Sequence, residues 1–480
     1  MYPKWWNLHT DNTMDLSLTS LRRQLVSRAI SPAELVQELA AAMEQRNPRI
    51  NAFISWDKDA ALAAAAQADV SLPLGGIPLA VKDNICISGE PTRCASRMLD
   101  SFVAPYDATA VARLRAAGAI PFGRANMDEF AMGSAGENSA YGATLNPADE
   151  TRVPGGSSSG SAAAVAAHMA VAALGSDTGG SVRQPASHCG VVGLKPTYGR
   201  ISRYGLVAFA SSLDQIGTMT HNVEDAALLL QVLSGYDAMD STSSREPVGD
   251  YAAALRSGVR GMRIGLPGEY ISGGNDPAVA AALQRAVTTL QELGAEVVEL
   301  SLPHTEAAVA AYYIIACAEA SSNLARYDGI RYGYRAADVR GLDDLYSRTR
   351  ETGFGAEVKR RIILGTYVLS SGFYDAYYAK AQKVRALVAQ DFARAFEQVD
   401  LILGPVAPTP APKLKAEGMS TLQVYLSDIY TVPANLAGLP GISVPCPQAG
   451  GAPVGVQLLA PHFCEGRMLQ AAAALEGAWS

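Results

Sequence analysis

Short apolar runs of strand length alternate with helical segments along most of the chain, and this alternation constrains the possible folds more than any other feature. Residues 76–83 form an apolar run that ends in charge, which predicts a buried strand that delivers Lys82 at its end. The pattern predicts a helix over 108–117 and a strand over 119–123, and it continues to about Val232. The alternation therefore predicts a layered α/β fold.

The same alternation continues through the remainder of the chain. The sequence shows no internal repeats and no linker-like stretch. Strands are predicted at 262–266, 295–300, 400–403 and 441–445, a helix at 276–293, and long Tyr-rich helices within 307–396. Near the start, apolar residues at helical spacing predict a helical hairpin over about 16–45, with Ser31 and Pro32 as the N-cap and first turn of its second helix. We expect residues 1–13 to be an N-terminal extension and 14–480 to be one large domain.

Composition and charge limit the class of protein. The net charge is -7, so the chain has no overall attraction for phosphate backbones and is not expected to bind nucleic acid by itself. The longest small-apolar run, 161–174, is shorter than the roughly 20 residues that cross a bilayer, and we predict that it is a buried Ala-rich helix. No membrane contact is therefore expected. Six cysteines without a CxxC pair indicate reduced thiols in a cytoplasmic protein.

Two clusters of glycine and serine carry the chemical signal. The first, residues 153–161, precedes the Ala-rich run, and the second, residues 175–181, ends in Ser181 after two glycines. Consecutive amides in such loops can point into one concavity and stabilise an oxyanion. Serine supplies a nucleophile, and a strand-terminal lysine can be its base if burial lowers the ammonium pKa from ~10.4 toward neutrality.

A different reading of the first cluster is possible. Residues 156–160 also fit the G-x-S-x-G pattern of α/β-hydrolases, which would make Ser158 the nucleophile. That pattern requires an acid and then a histidine further along the chain, and only His462 lies where that fold places its base. A simple turn capped by serines is a third reading of the same residues.

Lys82, the serine-rich run 155–161, residues 178–181 and residues 193–199 together resemble the amidase signature family. The resemblance implies a large mixed β-sheet flanked on both faces by helices. It also implies a Ser-cisSer-Lys triad, with Ser181 as nucleophile, Ser157 as the proton relay in a cis peptide, and Lys82 as the base. The amides of Thr178, Gly179, Gly180 and Ser181 are implied to form the oxyanion hole, with no metal and no catalytic histidine.

Several later segments narrow the resemblance to one branch of that family. From about residue 16 to the end, the chain is similar to the glutaminase subunits of tRNA-dependent amidotransferases, most distinctively at 202–206, 211–215, 319–329, 357–372 and 428–440. This similarity implies that Arg361 binds the glutamine carboxylate, that Asp428 binds its ammonium, and that Tyr312 contributes to the pocket. Arg360 stands beside Arg361, so the sequence leaves the choice between these two open.

The same similarity implies the partners. Glutamine would be hydrolysed here, and its ammonia would pass to a B subunit that binds mischarged tRNA and uses ATP and Mg, while a C subunit completes a heterotrimer. No cofactor is expected in this chain, which has no P-loop. The alternatives are a stand-alone amide hydrolase with the same triad, or an inactive scaffold, which the intact Lys82, Ser157 and Ser181 disfavour.

Overall fold

Eleven strands form one mixed sheet at the centre of the molecule. In the computed structural model, residues 15–271, 273–414, 425–447 and 451–480 are described, so the predicted extension 1–13 lies outside them. The sheet order is β1-β3-β2-β4-β6-β5-β10-β11-β9-β7-β8. The strands are β1 Phe53–Ser55, β2 Pro78–Lys82, β3 Ile120–Ala125, β4 Ala172–Asp177, β5 Val192–Lys195, β6 Gln215–Thr220, β7 Arg263–Pro267, β8 Glu296–Leu300, β9 Leu401–Pro405, β10 Gly441–Cys446 and β11 Val454–Leu459.

Sixteen α-helices surround this sheet in the described part of the chain. They are α1 Leu18–Val26, α2 Pro32–Ile50, α3 Lys58–Ala65, α4 Thr109–Ala116, α5 Ser159–Ala166, α6 Arg183–Cys189, α7 Val223–Leu233, α8 Tyr251–Ala254, α9 Gly268–Ile271, α10 Pro277–Glu292, α11 Ala308–Asn323, α12 Leu342–Gly353, α13 Ala356–Leu369, α14 Lys380–Ala395, α15 Val432–Leu436 and α16 Glu465–Trp479. Among these helices, none combines the length and the apolar character that crossing a bilayer requires.

The predicted alternation of strands and helices is confirmed, because each strand predicted at a numbered range is present within a few residues. The start of α2 shows the local cause: the Ser31 side chain accepts from the Glu34 amide, the Glu34 carboxylate accepts from the Ser31 amide, and Pro32 begins the helix. This helix continues to Ile50, beyond the predicted end of the hairpin.

Two apolar cores pack against the sheet. Leu401 and Leu403 of β9 pack into the larger core, whereas Ile402 between them packs into the smaller one. Successive side chains of a strand point to opposite faces, so the two cores lie on opposite sides of the sheet at β9. The larger core includes residues of α2, α5 and α10, and the smaller one residues of α11, α13 and α14, so helices cover both faces as predicted.

The run 161–174 does not form the single helix that we predicted. Helix α5 ends at Ala166, His168 adopts a left-handed backbone with φ 54°, and β4 begins at Ala172. The run is buried almost throughout, so it lacks the polar face whose spacing would distinguish a helix from a strand. Pairing of β4 with β2 and β6 decides the conformation of its second half.

Two neighbouring parallel strands bring the two predicted reactive segments together. Strand β2 pairs in parallel with β4, with Ala80 opposite Ala173 and Val81 opposite Leu174. The carboxyl ends of parallel neighbours meet at the same edge of a sheet, which is where α/β proteins place their ligands. Lys82 at the end of β2 therefore lies beside the loop that follows β4.

Candidate active site

Lys82 is fully buried at the end of β2, and its amine is surrounded by serine hydroxyls. Its Nζ lies 2.8 Å from Ser157 Oγ, 2.8 Å from Ser158 Oγ and 2.9 Å from Ser176 Oγ. Burial lowers the pKa of Lys82 to about 7, because the charged ammonium loses its hydration. A substantial fraction of this amine is therefore neutral near pH 7 and able to accept a proton.

A second buried lysine shows that a lowered pKa does not by itself mark the base. Burial also lowers the pKa of Lys195 to about 7. Its Nζ, however, donates to the backbone carbonyls of Pro196, at 2.9 Å, and Leu439. A carbonyl oxygen has no proton to give, so these contacts hold Lys195 in place and provide no path for proton transfer.

The first serine loop enters α5 through a cis peptide bond between Gly156 and Ser157, as the family resemblance implied. Ser157 is completely buried. Gly156 is needed for space, because a Cβ at this position would lie 2.1 Å from the Asp128 carboxylate. The Gly156 amide donates to Gln184 Oε1 at 3.0 Å, and Gln184 Nε2 donates to the Ser134 carbonyl at 2.9 Å. Gln184 thus links the serine loop to Ser134.

The second loop carries Ser181, which is only partly buried, whereas Ser157 is completely buried. The Ser158 amide donates to the Ser181 carbonyl at 3.2 Å, which joins the two loops. Gly180 adopts a φ of 132°, and a Cβ there would lie 2.2 Å from Thr431 Oγ1. The loop therefore requires glycine at this position, and its backbone bond to Ser158 holds Ser181 next to the first serine loop.

The predicted oxyanion hole needs one correction. The Gly180 amide donates to Asp177 Oδ1 at 2.8 Å, so it is already used inside the loop. The amides of Gly179 and Ser181 have no hydrogen-bond partner within the described residues. The predicted donors of the oxyanion hole are therefore reduced to the amides of Thr178, Gly179 and Ser181. For these three the role stays a prediction.

A buried ion pair that sequence reasoning missed holds this loop in shape. Arg183 and Asp177 are both fully buried, with Arg183 Nε 3.1 Å from Asp177 Oδ2. The other guanidinium nitrogens donate to Gln457 Oε1 at 3.1 Å, Asn435 Oδ1 at 2.5 Å and the Thr431 carbonyl at 3.2 Å. The signal was available in the sequence, because Asp177 lies inside the second glycine cluster and Arg183 lies just after it, as charged residues within an apolar region.

Arg361 is the arginine that faces inward. Its side chain is 5% exposed, whereas that of Arg360 is 56% exposed, which favours Arg361 as the pocket residue of the two. Glu357 accepts from Arg361 Nε at 2.8 Å, and the guanidinium lies 5.2 Å from the ring centre of Tyr313 and 5.9 Å from that of Tyr425. Among the described residues, its two terminal nitrogens have no hydrogen-bond partner. This fork is available for a carboxylate.

Asp428 and Tyr312 occupy the same region. Asp428 is buried and accepts from Ser134 Oγ at 2.6 Å, and burial raises its pKa to about 7 against the opposing effects of Ser134 and the Arg361 charge. The Tyr312 ring packs on Gly179, where a Cβ would lie 2.7 Å from the Tyr312 hydroxyl. The region therefore adjoins the second serine loop directly, and it offers both a cation and a carboxylate.

The alternative reading with Ser158 as nucleophile lacks its base. Ser158 Oγ lies against Lys82 Nζ and donates to the Ser176 carbonyl at 3.1 Å. His462 instead makes a hydrogen bond of 2.9 Å between Nε2 and the Ala437 carbonyl. The lysine-centred arrangement is the one that the structure assembles.

Comparison with known proteins agrees with this geometry. The family model described as Amidase matches residues 34–469. The chain belongs to the amidase family. This amidase is 63% identical to the A subunit of the glutamyl-tRNA(Gln) amidotransferase from Akkermansia muciniphila over 463 residues, which cover 96% of this chain and 98% of that relative. It is 57% identical to the protein of the same name from Trichlorobacter lovleyi, with 95% and 96% covered.

Solved structures of amidases share the fold. The crystal structure of the A subunit of the glutamyl-tRNA(Gln) amidotransferase from Thermotoga maritima matches with a TM-score of 0.81 and 43% identity, covering 97% of this amidase and 95% of that chain. A 6-aminohexanoate cyclic dimer hydrolase matches with a TM-score of 0.84 and 30% identity, covering 97% and 98%. The same fold thus serves relatives named for different substrates.

The pKa of Lys82 predicts how amide hydrolysis by this amidase depends on pH. Only the neutral amine accepts a proton, so kcat/KM should rise as pH passes upward through about 7 and fall about tenfold per unit well below it. The measurement is a kcat/KM profile from pH 5 to 9 with a neutral amide, whose own charge does not change in this range. A profile that stays flat down to pH 5 would contradict the role of Lys82 as base.

Proposed function

We propose that this chain is the glutaminase subunit of a tRNA-dependent amidotransferase, which hydrolyses glutamine and supplies ammonia for converting Glu-tRNA(Gln), Asp-tRNA(Asn) or both to the amidated forms. The observation that carries the proposal is that the Arg361 guanidinium and the buried Asp428 carboxylate both lie near the serine loops. A free amino acid brings one carboxylate and one ammonium, and each needs an opposite charge when it loses water. The relatives named as amidotransferase subunits support the same substrate.

The proposed reaction uses Lys82, Ser157 and Ser181 as a path for proton transfer. Neutral Lys82 accepts the proton of Ser157, Ser157 takes that of Ser181, and Ser181 Oγ attacks the glutamine side-chain carboxamide. The amides of Thr178, Gly179 and Ser181 stabilise the resulting oxyanion. Its collapse breaks the C–N bond, and the proton returns through Ser157 to the leaving nitrogen, which departs as ammonia. Water then hydrolyses the glutamyl ester on Ser181 by the same relay and yields glutamate.

The remaining chemistry belongs to partner subunits in this proposal. The relatives carry the name of one subunit of an enzyme, and we infer a heterotrimer with B and C subunits in the cytoplasm. The B subunit would bind mischarged tRNA and hold the ATP and Mg that activate it, so this chain would need no cofactor of its own. The net charge of -7 fits this division, because the chain has no overall attraction for RNA.

The direct test combines this chain with B and C subunits, mischarged tRNA, ATP, Mg²⁺ and glutamine. We expect glutamine-dependent amide transfer to the aminoacyl-tRNA, measured separately on Glu-tRNA(Gln) and Asp-tRNA(Asn). A matched reaction in which ammonium chloride replaces glutamine shows whether the partner subunits function. Transfer with ammonium but none with glutamine would contradict the proposed function.

Adjacent arginines provide a matched pair of variants for the glutamine pocket. Arg361→Ala should raise KM for glutamine roughly 10- to 100-fold, because the substrate carboxylate loses a charged hydrogen-bond partner worth about 1.5 to 3 kcal/mol. Arg360→Ala removes an exposed charge and should change KM less than about twofold. Hydrolysis of a small neutral amide should be nearly unchanged by both. If Arg361→Ala affects the neutral amide as strongly as glutamine, the stand-alone amide hydrolase becomes the better assignment.

A further inference from the structure

Four oxygen atoms surround the Lys82 amine, which is more than a proton relay to Ser157 requires. The hydroxyls of Ser157, Ser158 and Ser176 lie within 2.9 Å of Nζ, and the Ser176 carbonyl lies at 3.3 Å. All three serines are buried. Ser158 and Ser176 have no place in the proton path from Ser181 to Lys82, so their contacts with the amine need a separate explanation.

The hydrogen bonds of the two extra serines show which way they face. Ser158 Oγ donates its proton to the Ser176 carbonyl at 3.1 Å, so the oxygen turns a lone pair toward Lys82. Asn84 Nδ2 donates to Ser176 Oγ at 3.0 Å, and this contact fixes Ser176 beside the amine. Ser158 Oγ is therefore held as an acceptor of a Lys82 N–H bond, and Ser176 Oγ lies 2.9 Å from the amine, where it can accept the other.

A neutral amine has two N–H bonds and one lone pair, and rotation about the last side-chain bond decides where the lone pair points. We propose that Ser158 and Ser176 are positioning residues. Each accepts a hydrogen bond from one of the two N–H groups of neutral Lys82, and together they direct the lone pair of the amine at the Ser157 hydroxyl. The inference rests on the proposed role of Lys82 as base. It gives a reason for the presence of Ser158 and of Ser176, neither of which belongs to the proton path.

The same three hydroxyls can also satisfy the protonated amine. When Ser157 transfers its proton, Lys82 becomes an ammonium with three N–H bonds, and the three hydroxyl oxygens around it accept one each. The charged groups that act on this amine are Asp128, Asp177 and Asp214, and the Cys94 thiol also lies near. Because Ser158 and Ser176 bind the ammonium through a charged hydrogen bond, removing either hydroxyl should make the ammonium less stable.

The test follows Ser181 directly with a fluorophosphonate, which reacts with an activated serine whatever the natural substrate. The full-length chain, as wild type and as Ser176→Ala, is labelled from pH 5 to 9, and the adduct is quantified by intact mass and located by peptide mapping. Ser176→Ala should label at least tenfold more slowly above pH 8, and the midpoint of its pH profile should move about one unit lower. Ser161→Ala is the matched control, since its buried hydroxyl donates to the Leu174 carbonyl instead, and it should label within about twofold of wild type.

Ser158→Ala is the second variant, and it carries the same expectation if Ser176→Ala does not fold, as judged by thermal melting. Wild-type labelling rates and an unmoved midpoint in the folded variants would overturn the positioning role. A slower rate with an unmoved midpoint would also overturn it, because that result indicates a structural effect only. Failure of the wild type to label at Ser181 would instead contradict the proposed nucleophile, so the two failures are distinguishable.

Discussion

Replacing Ser181 with alanine should lower ammonia release from glutamine by roughly 10⁴- to 10⁶-fold, because no other group can form the acyl-enzyme. Ser181 is partly buried, whereas Ser157 is completely buried and held by Lys82. The remaining loop amides and pocket would still bind glutamine, so its affinity should change little. The measurement is coupled detection of glutamate, together with binding of glutamine by calorimetry.

Ser187→Ala provides the control for the Ser181 variant. Ser187 lies six residues after Ser181, on α6, and is buried. Its hydroxyl accepts from the Gly455 amide at 2.8 Å and takes no part in the proton path from Ser181 to Lys82. This control should lose some thermal stability and keep its turnover. If Ser181→Ala retained a tenth of wild-type activity, the nucleophile would have to be reassigned.

The second large effect is expected at Lys82. Lys82→Met removes the amine while keeping the length of the side chain, and Lys82→Arg keeps a positive charge that cannot be lost in this pH range. Both variants should reduce kcat by about 10³- to 10⁴-fold, since neither has a neutral amine that could accept the Ser157 proton. The comparison separates the base from the charge, because a merely electrostatic role would be rescued by arginine.

Turnover of the Lys82 variants is best measured beside Lys58→Met, which removes an exposed lysine paired with Glu44 at 3.3 Å. That surface variant should be indistinguishable from wild type. Thermal melting confirms that each Lys82 variant is folded before its kinetics are interpreted. Activity of Lys82→Arg within tenfold of wild type would show that the lysine acts by its charge and is not the base.

Much of the fold could be predicted from the sequence because strand-length apolar runs and helical periodicity are local signals. The run 161–174 is the informative failure. Its residues are buried on nearly every side, so periodicity carried no information, and pairing of β4 with β2 fixed the outcome. Similarly, the Asp177–Arg183 ion pair joins residues six apart in sequence, but the partners that complete it, such as Gln457, come from distant segments of the chain.

Sequence alone determined the chemistry available at this site: the serine, glycine and lysine residues, their order along an α/β chain, and their likeness to the amidase signature family. Only the tertiary structure decided which of those residues have the required environment. It buried Lys82 among three hydroxyls, turned Arg361 rather than Arg360 inward, and committed the Gly180 amide to Asp177. The reason is physical: a side chain's identity is local, whereas its pKa, its accessibility and its hydrogen-bond partners depend on segments that only folding brings into contact.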